Sequence, residues 1–282
     1  MPTADTFVSQ AERVILLDVT DPVGAEGVEG VKVHVDAGIA VITVDRPSVR
    51  NAIGFTTVTE LDAALDEVAS SDAAVLVIRG GGDRAFVSGG DLKELAAVRT
   101  HDDAVAMARL VRRLLDRIAA FPLPVIAALN GHALGGGAEV AIAADIRLAA
   151  DDVKIGFNQV SLAIMPAWGG AERLAQRIGR GRALLAIATG ELYDAAAARE
   201  IGLVDIVVPR GAFEEEWQAL ARRLAATAPG TTRAVKSVLA AAVPTTHQDL
   251  EDAAADTFAR LWIADAHWDA VDAMQQRRAK RS

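Results

Sequence analysis

Two glycine-rich segments in this chain each run into an acidic turn. RAFVSGGDLKEL (84–95) places Ser88-Gly89-Gly90 directly before Asp91, and NGHALGGGAEVA (130–141) places Gly135-Gly136-Gly137 before Ala138-Glu139. Without a Cβ, a glycine lets its backbone N–H approach a ligand closely, and a helix N-terminus behind it adds positive potential. Two such donors converging on one oxygen would stabilise a developing oxyanion. Glu139 lies one helical turn beyond Gly136, so its side chain falls near the same spot. A carboxylate beside paired N–H donors can move a proton. Glycine triplets also serve as plain turns and caps, and a lone glutamate is often a solvated helix residue. Together the two loops point to an anion-binding α/β enzyme, and the residues alone go no further.

The elements around these loops must position them. VKVHVD (31–36) and IAVITVD (39–45) alternate apolar and polar residues about an Asp-Ala-Gly turn, which predicts a hairpin. Val58, Leu61, Leu65 and Val68 recur at helical spacing between Phe55 and Val68. AVLVIRG (74–80) reads as a strand buried on both faces and ends in Gly80-Gly81-Gly82. An amphipathic helix over 103–120 leads through Phe121-Pro122-Leu123-Pro124 into VIAAL (125–129), a second buried strand. Gly131 to Gly137 then reads as a turn, followed by helical AEVAIAADI and short strands in IRLAA and VKIGF. Strands alternating with helices indicate an α/β class. From about residue 211 the pattern is helical only. The expected organisation is an irregular leader over 1–29, a core over 30–210 and a C-terminal helical region over 211–282.

Composition removes several functions. The chain of 282 residues carries 29 basic and 38 acidic side chains, a net charge of −9, which disfavours nucleic acid and anionic membranes as partners. It has no cysteine, which excludes disulfides, thiolate nucleophiles and cysteine-held metals. Its five histidines have no helical metal-ligand spacing. The N-terminus does not read as a signal peptide, and no uninterrupted apolar run reaches the length of a membrane span, so a cytoplasmic location is expected. The second glycine segment does not fit the dinucleotide fingerprint G-x-G-x-x-G, and no phosphate loop of the G-x-x-x-x-G-K-[ST] type occurs. The nucleophile elbow of serine hydrolases is absent as well, because Phe86 stands where its first glycine belongs.

DRPSVRNA (45–52), AFVSGGDLKEL (85–95), NGHALGGGAEVAIAADIRLA (130–149) and MPAWGGAERLAQRIG (165–179) resemble, in order and spacing, the enoyl-CoA hydratase/isomerase family, the crotonases. The resemblance runs from about residue 31 to the C-terminus. It implies a spiral of ββα turns forming two stacked sheets, followed by helices that pack between subunits of a trimer or a dimer of trimers. It implies an acyl-CoA thioester as substrate, with no further cofactor. Carried over by motif, Gly90 and Gly136 would supply the N–H groups that bind the thioester oxygen, and Glu139 matches the first of two catalytic glutamates. Arg46 and Arg50, with Ala85, Val87, Ser88, Asp91 and Leu92, match the region that receives the CoA moiety.

Two positions depart from the family pattern. Gln159 in GFNQVSLAIMP stands where the second catalytic glutamate belongs, and a carboxamide orients water without acting as a base. Trp168, before Gly169-Gly170, replaces a small residue and resembles some decarboxylase members; it is expected either to pack in the core or to shape the acyl pocket. The resemblance makes enoyl-CoA hydration or isomerisation the expected activity, while Gln159 counts against efficient hydration. Decarboxylation of a malonyl-type CoA and non-catalytic acyl-CoA binding are the alternatives.

Overall fold

Backbone turns that only certain residues allow begin the architecture. Strands β1 (Gly30–Asp36) and β2 (Ile39–Asp45) form an antiparallel hairpin in which Asp36 pairs with Ile39. The two turn residues, Ala37 and Gly38, both have positive φ, 48° and 76°, the geometry that matches the twist of the flanking strands. The computed structural model describes residues 30–241 and 248–280, so the leader expected over 1–29 lies outside the described residues.

The chain then continues through α1 (Phe55–Ala69), β3 (Val75–Gly80), β4 (Ala85–Val87), α2 (Leu92–Leu95), α3 (His101–Ala119), β5 (Val125–Leu129) and β6 (His132–Leu134). Next come α4 (Gly136–Ala143), β7 (Ile146–Ala150), β8 (Lys154–Gly156), α5 (Gly170–Ile178) and α6 (Arg180–Thr189). Strand β9 (Tyr193–Asp194), α7 (Ala195–Glu200), β10 (Ile206–Val208) and helices α8 (Phe213–Ala225), α9 (Pro229–Ala241), α10 (Gln248–Trp262) and α11 (Asp265–Ala279) complete it.

Ten strands make two sheets among the described residues. The larger has the order β1-β2-β3-β5-β7-β10, parallel beyond the hairpin, and the smaller has the order β4-β6-β8-β9. Every residue of VIAAL in β5 is buried, as a strand covered on both faces requires. Three times, a long strand of the first sheet is followed within a few residues by a short strand of the second: β3 by β4, β5 by β6, and β7 by β8. This is a spiral, and each turn repeats the same step from one layer to the other.

The step between layers is tight. A methyl group on Gly80 or Gly131 would overlap the backbone near Ala85. The buried Asn130 side chain accepts from Gly80 N at 2.9 Å and donates to Gly80 O and Gly82 O, at 2.9 and 2.6 Å. Asn51 donates to Gly81 O and Ala85 O, at 3.0 and 2.7 Å. Two asparagines thus satisfy backbone groups that the crossing leaves without sheet partners.

One sequence expectation needs correction. The segment 131–137 is not only a turn, because His132–Leu134 is a strand of the second sheet, paired with β4 and β8. Its three residues were too few for a period-2 signal between glycines. The helices from residue 211 pack onto this core. Phe213 and Trp217 of α8 are buried, and Glu214 pairs with Arg79 of β3 at 2.7 Å. Helix α10 packs along α3, and α11 covers the 3-10 turn Asn158–Leu162. Trp262 of α10 donates to Val98 O at 3.0 Å, and its ring contacts Trp268 and His267 of α11. These tryptophans pack within the chain.

Candidate active site

The spiral brings the chemically suggestive residues together. Strands β4, β6 and β8 are parallel neighbours, and the segments that leave their C-terminal ends carry Gly90, Gly136 and Gln159 respectively. Because each turn repeats the last, residues far apart in the chain, Gly90 and Gly136 and then Gly136 and Gln159, become lateral neighbours.

Gly90 lies in an extended segment bridged to Ile53. Ile53 N donates to Gly89 O at 2.9 Å and Asp91 N donates to Ile53 O at 2.8 Å. In extended backbone, successive N–H groups alternate sides, so the Gly90 N–H points away from Ile53, and Gly90 itself lines the cavity. Gly136 opens α4, where an N–H has no acceptor one turn earlier in the helix. A methyl on Gly89 would stand 3.7 Å from Gly136 N, so the two loops lie against one another. Gly89 and Gly135 hold φ of 113° and 56°, values that glycine adopts without strain.

Trp168 lines the same place and is buried. A Cβ on Gly136 would overlap its indole, and one on Gly90 would approach it to 3.6 Å. The ring thus rests on both glycines. Core packing and pocket shaping, read as alternatives for this residue, are one contact.

Glu139 is buried on α4, and its oxygens have named partners. Oε2 accepts from Trp168 N at 2.8 Å and from Gly170 N at 2.9 Å, while Oε1 accepts from Gln159 Nε2 at 2.9 Å. A methyl on Gly170 would overlap the Glu139 side chain, which explains why a glycine follows Gly169. Burial pushes the Glu139 carboxyl up from 4.5 to about 7, against the hydrogen bonds from Gly170 and Trp168, which favour the carboxylate. Such a group holds and releases a proton near neutral pH. Gln159 is buried too, and its Oε1 has no hydrogen-bond partner among the described residues.

These groups line a cavity of about 960 Å³. Its exposed rim carries Arg50, Arg84 and Lys93 together with Asp83 and Asp152, the latter paired with the half-buried Arg210, and its buried floor is apolar, formed by Leu95, Met107, Phe258 and Trp262. Ala85, Ser88, Asp91 and Leu92 also line it. Val87 does not; it is a buried strand residue whose carbonyl packs against Gly137. Arg46 is turned inward, donating to Ala52 O at 2.7 Å, Thr57 Oγ1 at 3.0 Å and Asp91 Oδ2 at 3.1 Å. Asp91 in turn caps α2 through Lys93 N and Glu94 N. Arg46 is a brace, and Arg50 is the arginine that faces the cavity.

Sequence reasoning missed the backbone N–H groups of Trp168 and Gly170, and the floor given by α10. A residue's letter says nothing of where its own N–H points. Phe258 and Trp262 reach the cavity only through the packing of α10 on α3.

The enoyl-CoA hydratase/isomerase family model matches residues 34–278. A "Probable enoyl-CoA hydratase" of Bacillus subtilis is 36% identical over 212 residues, covering 74% of this chain and 81% of that protein. The short-chain-enoyl-CoA hydratase of Clostridium acetobutylicum is 33% identical over 202 residues, covering 71% and 77%. Among solved structures, an enoyl-CoA hydratase from Mycobacterium avium subsp. paratuberculosis superposes with a TM-score of 0.78 at 27% identity, covering 86% of this chain and 98% of that one. The enoyl-CoA hydratase of Bacillus anthracis gives 0.73 at 29% identity, covering 88% and 96%. The two-sheet spiral is the crotonase fold, and the chain belongs to the enoyl-CoA hydratase/isomerase family.

Proposed function

We propose that this enzyme takes an acyl-CoA thioester, holds the thioester oxygen on the N–H groups of Gly90 and Gly136, and uses Glu139 as its one proton carrier. The observation that carries this reading is the buried Glu139 carboxyl, seated by Trp168 N and Gly170 N with a pKa near 7. The exposed rim cations Arg50, Arg84 and Lys93 suit the CoA phosphates, and the apolar floor suits an acyl chain.

One carboxyl suffices for hydration of a 2-enoyl-CoA. The oxygen of water bonds to Cβ while Glu139 takes a water proton, and the π electrons move onto the thioester oxygen. The enolate then collapses as Glu139 returns the proton to Cα. Gln159 Oε1, without a donor among the described residues, suits the water's second O–H. A second reading, a shift of the double bond, is favoured by Gln159 itself. Here Glu139 removes a proton from one carbon of a 3-enoyl-CoA and returns it to another, with no need of a second carboxylate. Neither route calls for a metal or further cofactor. Exposed Val235, Val238 and Leu239 on α9, with Leu184 and Leu185 on α6, support self-association as a trimer or a dimer of trimers.

The test is incubation of wild type and Glu139→Gln with 2-enoyl-, 3-enoyl- and malonyl-type CoA in D2O, with products read by mass. Deuterium-labelled hydrated or isomerised product, lost in Glu139→Gln, is expected. Loss of CO2 in both proteins, or binding without turnover, overturns the reading.

A further inference from the structure

Behind Glu139 lies a chain of charged groups, Arg173, Asp116, Arg112, Glu172 and Glu251, none of which lines the cavity. Arg173, on α5, donates through Nη1 to Trp168 O at 3.0 Å, and its Nη2 pairs with Asp116 of α3. Its own N–H donates to Gly169 O at 3.1 Å. A Cβ on Gly169 would overlap the guanidinium, so Arg173 lies flat against the Trp168–Gly169 peptide, where Gly169 holds φ at 84°. This clamped turn is the one whose two N–H groups, Trp168 and Gly170, seat Glu139 Oε2. Its indole is also the ring that rests on Gly90 and Gly136.

The clamp is anchored on several elements. Arg112 of α3 donates to Glu172 at 2.7 Å and lies 3.5 Å from Asp116 and 3.4 Å from Glu251 of α10. The groups facing Arg173 are therefore Asp116 and Arg112 on α3, Glu172 on its own helix, and Glu139 on α4. A guanidinium suits this place, because its planar fork can hold a carbonyl and a carboxylate at once, and lysine has only one nitrogen.

We propose that Arg173 is a positioning residue: by fixing the Trp168 carbonyl against Asp116, it holds both N–H donors of the carboxyl and the ring beside the two glycines. Its positive charge also favours the Glu139 carboxylate, in the same direction as the donors it holds. Loss of Arg173 removes both influences together, so the Glu139 proton should be harder to lose.

The inference rests on Glu139 as the proton carrier, and its test is made independent of turnover. The protonated-carboxyl infrared band of Glu139, assigned by its loss in Glu139→Gln, is titrated in wild type, Arg173→Lys and Arg173→Met. Arg173→Met should raise the midpoint by about one pH unit or more, the effect of removing an opposite charge and loosening donors. Arg173→Lys should fall between, since it restores charge without the bridge. With an acyl-CoA that turns over, kcat should drop about tenfold or more with KM little changed, and its acid limb should move to higher pH. If Arg173→Met fails to fold, Asp116→Asn frees the clamp while keeping the charge, and should raise the midpoint by a smaller amount. An unchanged midpoint in Arg173→Met, or in Arg173→Lys and Asp116→Asn where Met fails to fold, overturns the proposal. A shifted midpoint in a protein without turnover would leave the clamp standing and remove the catalytic reading.

Discussion

Gln159 donates its side-chain N–H to Glu139 Oε1 at 2.9 Å, and its own side-chain oxygen is buried without a donor among the described residues. The amide thus holds the carboxyl on one side and presents an acceptor on the other. Among the described residues Glu139 has three donors, two from backbone and one from this amide, so its orientation is set from three directions.

Gln159→Glu puts a second carboxyl within hydrogen-bond distance of the first. Two carboxyls at such a separation share a proton, with one pKa raised and the other lowered. Hydration of a short 2-enoyl-CoA, followed by loss of the conjugated thioester absorbance, should rise by about tenfold or more. No gain in rate would mean that Gln159 is not a base replaced by its amide.

Glu139 also links stability to pH. Its folded pKa, about 7, lies above the value of 4.5 expected for an unperturbed glutamate, so the folded state favours the protonated carboxyl. That stabilisation is complete below pH 4.5 and is lost as pH rises through about 7. At about 1.4 kcal/mol for each pH unit the swing is a few kcal/mol. Glu139→Gln should therefore melt several degrees above wild type at pH 8 and close to it at pH 5. Calorimetry at the two pH values checks this, and an equal difference at both would contradict it.

Gly136 and Trp168 should be coupled. Gly136→Ala drives a methyl into the indole, at a cost of about 1–3 kcal/mol for overpacking, and should displace the N–H beside it. Combining it with Trp168→Ala removes the overlap, so the double variant should recover stability that simple addition would not give. A denaturant-unfolding cycle measures the coupling, and additive values would separate the two residues.

Arg46 and Arg50 should part in their effects. Arg46→Met leaves Asp91 without its partner in a mostly buried site, so unfolding free energy should fall by about 2 kcal/mol. Arg50→Ala touches an exposed rim residue, so stability should hold while KM for an acyl-CoA rises severalfold. Parallel melting and kinetic measurements distinguish the two, and the opposite assignment of effects would reverse these roles.

The elements that rest on local pattern were legible in the residues alone. The hairpin over 31–45, the helix from Phe55, and the buried runs AVLVIRG and VIAAL all carry periods or compositions that neighbouring residues decide. The glycine loops and Glu139 were legible for a related reason, since a chain that needs bare backbone beside a helix start must write glycine there. Strands β4 and β6 have only three residues each, too short for a period, and exist through pairing with one another. Arg46 and Arg50 look alike in sequence, and only packing turned one inward and left the other at the rim. Trp168 and Gly170 act through backbone N–H groups whose direction no side-chain letter encodes. The residue types at the site belong to the sequence. Their convergence belongs to the spiral, which sets one turn of chain beside the next and so makes neighbours of Gly90, Gly136 and Gln159.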